Sequence, residues 1–178
     1  MLPKQYKAGG AGVTIQYGTA KCFLGWVVVA ATERGICVIA FDDDREMLPK
    51  LVAEKFPKAI ISKAGPECAE LVTKVVQCIE APQGDCDLPL DIQGTAFQQR
   101  VWEILCHIKP GETRSYAEVA KKLGNAQAAR AVAAACAANK LAVVIPCHRV
   151  IGKNGTLTGY RWGVERKQQL LEREKRLG

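Results

Sequence analysis

The apolar and polar positions of the first half of the chain predict strands followed by helices. Segments rich in β-branched and aromatic residues predict three strands, at Val13–Tyr17, Cys22–Ala31 and Ile36–Phe41. Apolar residues then recur at helical spacing, which predicts one helix between an N-cap among residues 42–44 and Pro57, and another between Pro66 and Pro82. A segment of Pro, Gly and Asp at residues 81–89 predicts an interdomain linker.

The second half predicts mainly helices. Four are expected: one at Val164–Arg176, one capped by Thr95 and stopped at Pro110, one at Tyr116–Leu123, and one from Ala126 to about Asn139. A Gly-Asn turn at residues 124–125 joins the last two, which is the helix-turn-helix pattern of DNA-binding proteins and of other helical hairpins. We therefore expect an α/β chain with an N-terminal α/β domain at residues 1–88 and a mostly helical C-terminal domain at residues 89–178.

Composition indicates an ordered globular chain. It has 178 residues, of which 48% are hydrophobic and 24% are charged, and this excludes disordered, collagen-like and coiled-coil proteins. Its apolar runs fall far short of the roughly 20 residues that span a bilayer. Lys4 and Lys7 interrupt any signal peptide near the start. We expect a soluble, cytoplasmic protein with no membrane partner, associated with the nucleoid if it is prokaryotic.

Positive charge is concentrated in the second half of the chain. Residues 1–90 carry ten Lys and Arg against eleven Asp and Glu, whereas residues 91–178 carry fifteen against seven. Such a concentration of positive charge attracts polyanions such as DNA. A solubilising surface explains the same charge equally well, so charge alone leaves both interpretations open.

Eight cysteines and two histidines decide what can be expected of metals and disulfides. No C-x-x-C pair occurs, and neither His107 nor His148 has zinc-finger spacing from a cysteine pair, so we predict no metal. Several cysteines lie in apolar segments, where Cys acts as a small hydrophobe. Without a secretory signal, reduced thiols are expected rather than a disulfide framework.

The third helix of the second half is unusually rich in alanine. Nine of the thirteen residues from Ala126 to Ala138 are alanine, and Arg130 is their only charge. Small side chains permit close approach to another surface, and an isolated Arg suits a DNA groove. A buried helix packed closely against its neighbours would explain the composition equally well.

A candidate nucleophile follows this helix. The apolar run Leu141–Ile145 ends at Pro146-Cys147-His148-Arg149. Cysteine thiolates form beside cations, a base or a helix N-terminus, and two of these neighbours are present. Adjacent side chains usually point apart, so His148 is expected to accept the thiol proton through one water rather than directly. The Cys-His pair alone does not establish catalysis.

The motif at residues 145–150 resembles the acceptor-cysteine motif of the methylated-DNA–protein-cysteine methyltransferases, the O6-alkylguanine-DNA repair proteins. The resemblance covers nearly the whole chain and is strongest from Gly94 to Glu174. Further motifs match in the same order, at Gly94–Trp102, Pro110–Tyr116, Ala129–Val132 and Gly159–Val164. The last of these is most similar to the Ada-type C-terminal domain.

The resemblance implies a fold and an activity. The N-terminal domain would be a small antiparallel sheet with helices, similar to ribonuclease H. The protein would bind duplex DNA through the minor groove without sequence specificity, act as a monomer and flip O6-methylguanine out of the stack. It would transfer the methyl group irreversibly to its own Cys147 in a single turnover, without a cofactor.

The resemblance also assigns catalytic residues. Cys147 would be the methyl acceptor, with Glu174 orienting His148, which draws the thiol proton through water. Asn139 would connect the recognition helix to the active-site strand and steady the thiolate, or it would simply cap the helix. Tyr116 would donate a hydrogen bond towards guanine N3 and offset the charge that grows on the leaving purine.

Substrate and DNA contacts are implied in the same way. The pocket for the base would be formed by Val150, Tyr160, Arg161 and Trp162, and we hypothesise that Trp162 narrows it against bulky adducts. Arg149 is expected to pair with an acid in the fold. Arg130 would enter the duplex and fill the space that the base leaves. The remaining DNA contacts would come from Thr113, Ser115, Ala128, Ala129, Ala131, Ala133 and Ala134.

Other classes of protein remain to be compared. A non-enzymatic DNA-binding regulator or damage sensor of this fold would lack the acceptor thiol. A Cys-His peptidase is excluded because its base lies far from its nucleophile in sequence. Ada-type proteins join this unit to an N-terminal sensor domain, so both a freestanding enzyme and a fragment of a larger protein are consistent with the sequence.

Overall fold

The computed structural model describes residues 1–83 and 86–177, and it has a mixed α/β fold. The chain divides into two compact units, Met1–Gln93 and Gly94–Gly178. In the described part of the chain, no helix combines the length and the apolar character that crossing a membrane requires.

The first unit is a four-stranded sheet with three helices among its described residues. In chain order the elements are α1 (Pro3–Lys7), β1 (Thr14–Cys22), β2 (Gly25–Thr32), β3 (Gly35–Asp42), α2 (Leu48–Lys55), β4 (Ile60–Lys63) and α3 (Pro66–Glu80). The strand order is β3-β2-β1-β4, with β1, β2 and β3 antiparallel and β4 parallel to β1. The sheet is therefore mixed, and the expectation of an antiparallel sheet was wrong for its last strand.

The structure corrects two further details of the predicted strands. β1 continues to Cys22, which pairs with Gly25, so the break between strands falls inside the segment that was predicted to be one strand. Strand β4 was not predicted. It has only four residues, and Ile60 is 65% exposed, so no alternation of buried and exposed positions marks it in the sequence.

Helix α3 packs on the sheet where β1 has no side chain. A Cβ atom on Gly18 would lie 2.7 Å from Val72 Cγ2, well inside van der Waals contact. The apolar face of α3 contributes Val72, Val75 and Ile79 to the core of the first unit. The predicted helix from Pro66 is thus confirmed, with the proline in its first turn, where a missing N–H has no helical partner to lose.

The first unit extends past the segment predicted to be a linker. Ile36 N donates to Pro89 O at 2.7 Å, and Asp91 N donates to Ile36 O at 2.9 Å, so this stretch of chain pairs beside β3. Gly35 has φ +139°, and a Cβ there would lie 2.5 Å from Pro89 O. This pairing places the division between units after Gln93, whereas the sequence suggested residue 88.

Two cysteines near the end of this unit form a disulfide. Cys78 lies in the last turns of α3, and Cys86 lies eight residues later, with Cα atoms 5.7 Å apart. This separation is within the usual range for a disulfide. The expectation of reduced thiols was therefore wrong for this pair, whereas the described thiols of Cys37, Cys68, Cys106, Cys136 and Cys147 are not in disulfides. Gly84 and Asp85, in the segment predicted to be a linker, lie outside the described residues.

The second unit is mainly helical. Its elements are α4 (Ala96–Cys106), β5 (Arg114–Ser115), α5 (Tyr116–Lys122), α6 (Ala129–Ala137), β6 (Val150–Ile151) and α7 (Val164–Leu177), and β5 pairs in parallel with β6. This short sheet was not predicted, because two residues carry no periodic signal.

Local hydrogen bonds explain where these helices begin. Thr95 and Gln98 form a capping box at the start of α4, and Ser115 and Glu118 form another at the start of α5. Helix α6 begins three positions later than predicted, since the Asn125 side chain accepts a hydrogen bond from Gln127 N at 3.1 Å and holds the preceding residues in a turn.

Helix α6 packs against α4 by one face. Trp102 of α4 is 3% exposed and donates its indole N–H to Ala135 O at 2.9 Å. Val132 and Cys136 are buried beside Ala135 on the same face of α6. Packing and a satisfied indole thus fix α6, which leads into the candidate site.

Candidate active site

Cys147 lies in a buried turn after the apolar segment 141–145. The residues Cys147–Arg149 form one 3₁₀ turn, begun after Pro146, and Cys147 is 4% exposed. Its sulfur accepts a hydrogen bond from Asn139 Nδ2 at 3.3 Å. The candidate nucleophile is therefore held inside the second unit.

Asn139 connects the end of α6 to this turn. It is fully buried, and its amide group also donates to Ile145 O at 3.0 Å and to Leu141 O at 3.3 Å, while its side-chain oxygen accepts from Leu141 N at 2.8 Å. The C-cap of α6 is Ala138, so the alternative role of Asn139 as the cap was wrong. The segment that Asn139 connects is a series of turns rather than the expected strand.

Glu174 of α7 joins the two residues that follow Cys147. Its Oε1 lies 2.7 Å from His148 Nε2, and Arg149 donates to both of its oxygens at 2.8–3.1 Å. Glu174 Oε2 also accepts from Gly111 N at 3.3 Å. His148 and Glu174 are both 0% exposed, so the carboxylate has exchanged water for three protein partners.

The same contacts set the protonation states of this pair. Burial raises the pKa of Glu174, but the hydrogen bonds from His148 and Arg149 outweigh it and lower that pKa to about 2. Burial lowers the pKa of His148 below its usual value, against the opposing hydrogen bond to Glu174. His148 is therefore neutral at pH 7, with its proton on Nε2 facing the carboxylate and an available lone pair on Nδ1.

The Cys147 thiol is not ionised by its surroundings alone. Burial raises its pKa, and the hydrogen bond from Asn139 together with the charges of Lys167 and Arg161 lowers it by less. The sequence suggested thiolate character from the neighbouring cations, and burial overrides that effect. A nearby base is required to take the proton at neutral pH.

Lys167 is a site residue that sequence reasoning missed. It is 0% exposed, and its Nζ donates to Val150 O at 2.6 Å, to Thr158 O at 3.0 Å and to Gly159 O at 3.3 Å. The sequence contained a signal for its burial, because residue 167 lies at helical spacing from Leu170 and Glu174, on the buried face of α7. A buried cation thus holds the loop that precedes Tyr160 against β6.

Of the predicted pocket residues, Val150 lies in β6, and the other three follow this loop in the chain. Arg161 Nη1 donates to Asn139 O at 2.7 Å, so its side chain anchors the loop to the end of α6. The rings of Tyr160 and Trp162 meet edge to face at 5.2 Å, and Trp162 is 8% exposed. Tyr116 lies near the same loop, with its hydroxyl 3.5 Å from Thr158 O.

The predicted DNA-contacting residues lie on the other face of α6 and before α5. Arg130, Ala131 and Ala134 are exposed, whereas the remaining five are half-buried: Thr113, Ser115, Ala128, Ala129 and Ala133. The interpretation of the alanine-rich helix as closely packed is thus correct for one face, whereas the DNA contacts of the other face stay a prediction. Among residues 1–83 and 86–177, no group of three His, Cys, Asp or Glu is arranged to hold a metal ion.

We expect Glu174→Gln to lower the free energy of unfolding at pH 7 by about 3–5 kcal/mol, because it leaves Arg149 buried without its counter-ion. A carboxylate with a lowered pKa stabilises the fold fully above its unfolded-state value near 4.5, and loses that effect as the pH falls towards about 2. The difference between variant and wild type should therefore shrink over this interval.

Urea denaturation at pH 7, 4 and 3 measures this difference. Glu172→Gln is the matched control, because Glu172 is exposed on the same helix and accepts a hydrogen bond from the exposed side chain of Gln168. Equal losses of stability for the two variants, or a difference that does not change with pH, would contradict the role assigned to Glu174.

Comparison with known proteins identifies the relatives of this chain. Residues 96–176 match the family model described as 6-O-methylguanine DNA methyltransferase, DNA binding domain. The chain is 48% identical over 174 residues to the bifunctional transcriptional activator/DNA repair enzyme Ada of Escherichia coli, covering 98% of this chain and 49% of that protein. It therefore spans about half the length of that relative.

A relative of similar length and a solved structure extend the comparison. The inducible methylated-DNA–protein-cysteine methyltransferase of Bacillus subtilis is 36% identical over 162 residues, which is 90% of each chain. The crystal structure of Mycobacterium tuberculosis OGT in complex with DNA has a TM-score of 0.74 and 33% identity, over 93% of this chain and 94% of that one. On this evidence the chain belongs to the methylated-DNA–protein-cysteine methyltransferase family.

Proposed function

We propose that this protein repairs O6-methylguanine in duplex DNA by transferring the methyl group to its own Cys147. The observation that carries the proposal is the buried Cys147 thiol, followed directly by a neutral His148 that is bonded to the Glu174 carboxylate. A DNA-binding sensor would need neither the thiol nor the base. The two family relatives compared above carry DNA repair or methyl transfer to cysteine in their names.

The site supplies the proton transfer that the thiol needs. His148 Nδ1 takes the proton of the Cys147 thiol through one water, and the imidazolium that forms is stabilised by Glu174. The sulfur then attacks the methyl carbon, an S–C bond forms, and the bond from carbon to guanine O6 breaks with its electron pair moving to the purine. Tyr116 donates towards guanine N3 and offsets that charge.

The reaction runs once for each protein molecule. Its product is a thioether on Cys147, and removing the methyl group would require a second, stronger nucleophile at the site. Every atom and electron pair of the transfer comes from the thiol, the base and the substrate, so the reaction needs no cofactor. The protein is consumed and acts as a monomer.

The loop held by Lys167 forms the pocket for the extruded base. Backbone groups at Val150 and Arg161 bind the edge of the guanine, and Tyr160 and Trp162 form a wall. Lys167 and Arg161 fix this loop at both sides of Tyr160, so the pocket is shaped before the base arrives. Preorganisation of this kind avoids ordering the loop at the moment of binding.

The second unit binds DNA through α5 and α6, used as a helix-turn-helix in the minor groove and without sequence specificity. The exposed alanines of α6 permit close approach of the backbone, and the contacts come from Arg130, Thr113, Ser115, Ala128, Ala129, Ala131, Ala133 and Ala134. Fifteen basic against seven acidic residues after residue 90 add attraction to phosphates. The first unit corresponds to the ribonuclease H-like N-terminal domain of the family.

Mass spectrometry after mixing the protein with a duplex that contains O6-methylguanine tests the proposal. We expect one added methyl group per molecule, located on Cys147 and absent in Cys147→Ser. Cys106→Ser is the control, since Cys106 is an exposed free thiol of the same unit, and it should be methylated like the wild type. An unmodified Cys147 beside an unrepaired duplex would refute the proposed function.

The role of Arg130 is tested by comparing two substrates. If Arg130 fills the space left by the flipped base, Arg130→Ala should slow methyl transfer from duplex DNA at least tenfold and leave transfer from the free base O6-methylguanine unchanged. Lys50→Ala, which removes an exposed cation of the first unit, serves as the charge control. Equal slowing on both substrates would argue against base displacement by Arg130.

The size of the pocket is tested with a bulkier adduct. We expect the wild type to transfer methyl faster than benzyl, and Trp162→Gly to reduce this ratio about tenfold because a large ring leaves the pocket wall. The ratio is measured within one protein, so a loss of folded material affects both substrates alike. Comparable rates for both adducts in the wild type, unchanged in the variant, would refute the hypothesis.

A further inference from the structure

Two buried polar atoms of the second unit have no hydrogen-bond partner among the described residues. They are His148 Nδ1 and the hydroxyl oxygen of Tyr160. Part of the Tyr160 side chain is exposed, but its hydroxyl end is not. An unsatisfied buried polar atom costs about 1–3 kcal/mol, so two in one site require an explanation.

The structure fixes Tyr160 on both sides. Before it, Gly159 O accepts from Lys167 Nζ at 3.3 Å, and the same ammonium group bonds to Val150 O, three residues after Cys147. After it, Arg161 Nη1 donates to Asn139 O at 2.7 Å, and the Asn139 amide contacts the Cys147 sulfur. These ties place Tyr160 beside the turn that carries Cys147 and His148.

We propose that one water molecule bonds to both His148 Nδ1 and the Tyr160 hydroxyl, which makes Tyr160 a positioning residue for proton transfer from Cys147. A water held between protein groups in this way typically has two to four polar partners. The inference rests on the proposed function, in which that proton passes through water to His148, and it adds the group that orients the water.

The hydrogen bonds of this water are determined by its partners. The proton of His148 lies on Nε2 facing Glu174, so Nδ1 only accepts, and the water donates to it. The Tyr160 hydroxyl and the Cys147 thiol both donate to the water oxygen. With both lone pairs occupied, one O–H of the water points at Nδ1. The thiol proton moves to the water as a water proton moves to Nδ1, and the water is restored.

Tyr160 remains a donor throughout. Burial raises the pKa of its hydroxyl well above 10, and negative charge on Cys147 raises it further. The tyrosine therefore does not itself accept the proton. It holds the water and thereby acts through His148.

Other charged groups near the thiol do not produce the same pH dependence. They are Tyr116 at the start of α5, Cys136 on α6, Arg149, Arg161, and Arg166, Lys167 and Glu174 on α7. Burial raises the pKa of Cys136 to about 12 and also raises that of Tyr116, while that of Glu174 is about 2. Lys167 is present in both the wild type and the Tyr160→Phe variant, so its protonation does not distinguish the two proteins.

Single-turnover methyl transfer by Tyr160→Phe, measured from pH 6 to pH 10, tests the proposal. At pH 7 we expect a rate constant about tenfold below that of the wild type, with unchanged affinity for the duplex, because positioned acid–base groups contribute factors of this order or more. The deficit should shrink towards the alkaline end of this range, because a rising fraction of the thiol then ionises without the relay. Tyr17→Phe, in the first unit, is the control for loss of a hydroxyl.

A DNA-independent measurement separates this proposal from the proposed function. Alkylation of Cys147 by iodoacetamide, located by mass spectrometry, should show the same pH-dependent deficit in Tyr160→Phe even if no methyl transfer occurs in the wild type. In the His148→Ala background, Tyr160→Phe should cause no further slowing, since the relay is already absent.

Stability gives an independent result. If the hydroxyl is dry and unsatisfied, Tyr160→Phe removes a buried polar group and raises the free energy of unfolding. If it binds the water, the substitution lowers it. A more stable variant, a rate equal to that of the wild type at every pH, or a deficit that is constant across pH would each overturn the proposal.

Discussion

The buried carboxylate of Glu174 is the charge around which the second unit arranges its chemistry. Removing an ion from water costs several kcal/mol, and the chain offsets this with two partners that directly follow Cys147. The turn that carries the thiol and the C-terminal part of α7 are therefore bound to each other. The same carboxylate keeps the proton of His148 on Nε2 and leaves a lone pair on Nδ1, so one buried anion fixes both the position of the turn and the tautomer of the histidine.

Two further buried polar side chains donate hydrogen bonds to main-chain carbonyls and so hold the backbone of the site in place. Asn139 bonds to the carbonyls of Leu141 and Ile145 and to the Cys147 sulfur. Lys167 bonds to three carbonyls in all, one in β6 and two in the loop that precedes Tyr160. Each is completely buried, and each has its donors satisfied by main-chain oxygens or sulfur. With the proposed function, a site built in this way does not need to reorganise when a base enters, which is the usual condition for efficient transfer chemistry.

The parts of the structure that the sequence predicted are those with strong local signals. Thr95 and Ser115 begin helices through capping boxes, and α3 follows from its apolar spacing after Pro66. The parts that it missed depend on distant contacts. Strand β4 has four residues and forms only because β1 lies beside it, and the segment around Asp91 belongs to the first unit because Ile36 pairs with it.

The candidate site shows the same division. Cys147, His148, Glu174 and Asn139 were found through the family motif, and the structure brings them together. Lys167 was missed because a lysine on a helix is usually solvated, and only the fold reveals that its ammonium group meets three carbonyls. The motif also could not predict that burial raises the pKa of the Cys147 thiol. The sequence shows the neighbouring cations, but it does not show how far the thiol is removed from water.

Burial of the Cys147 sulfur has a consequence if the protein, as proposed, works only once. With the proposed function, any oxidant or stray alkylating agent that reached a permanently ionised sulfur would waste the whole molecule. In that function a protonated thiol, 4% exposed and dependent on an internal base, stays inert until a flipped guanine lies beside it. Low resting reactivity is in this sense the property that keeps each copy available until damage appears.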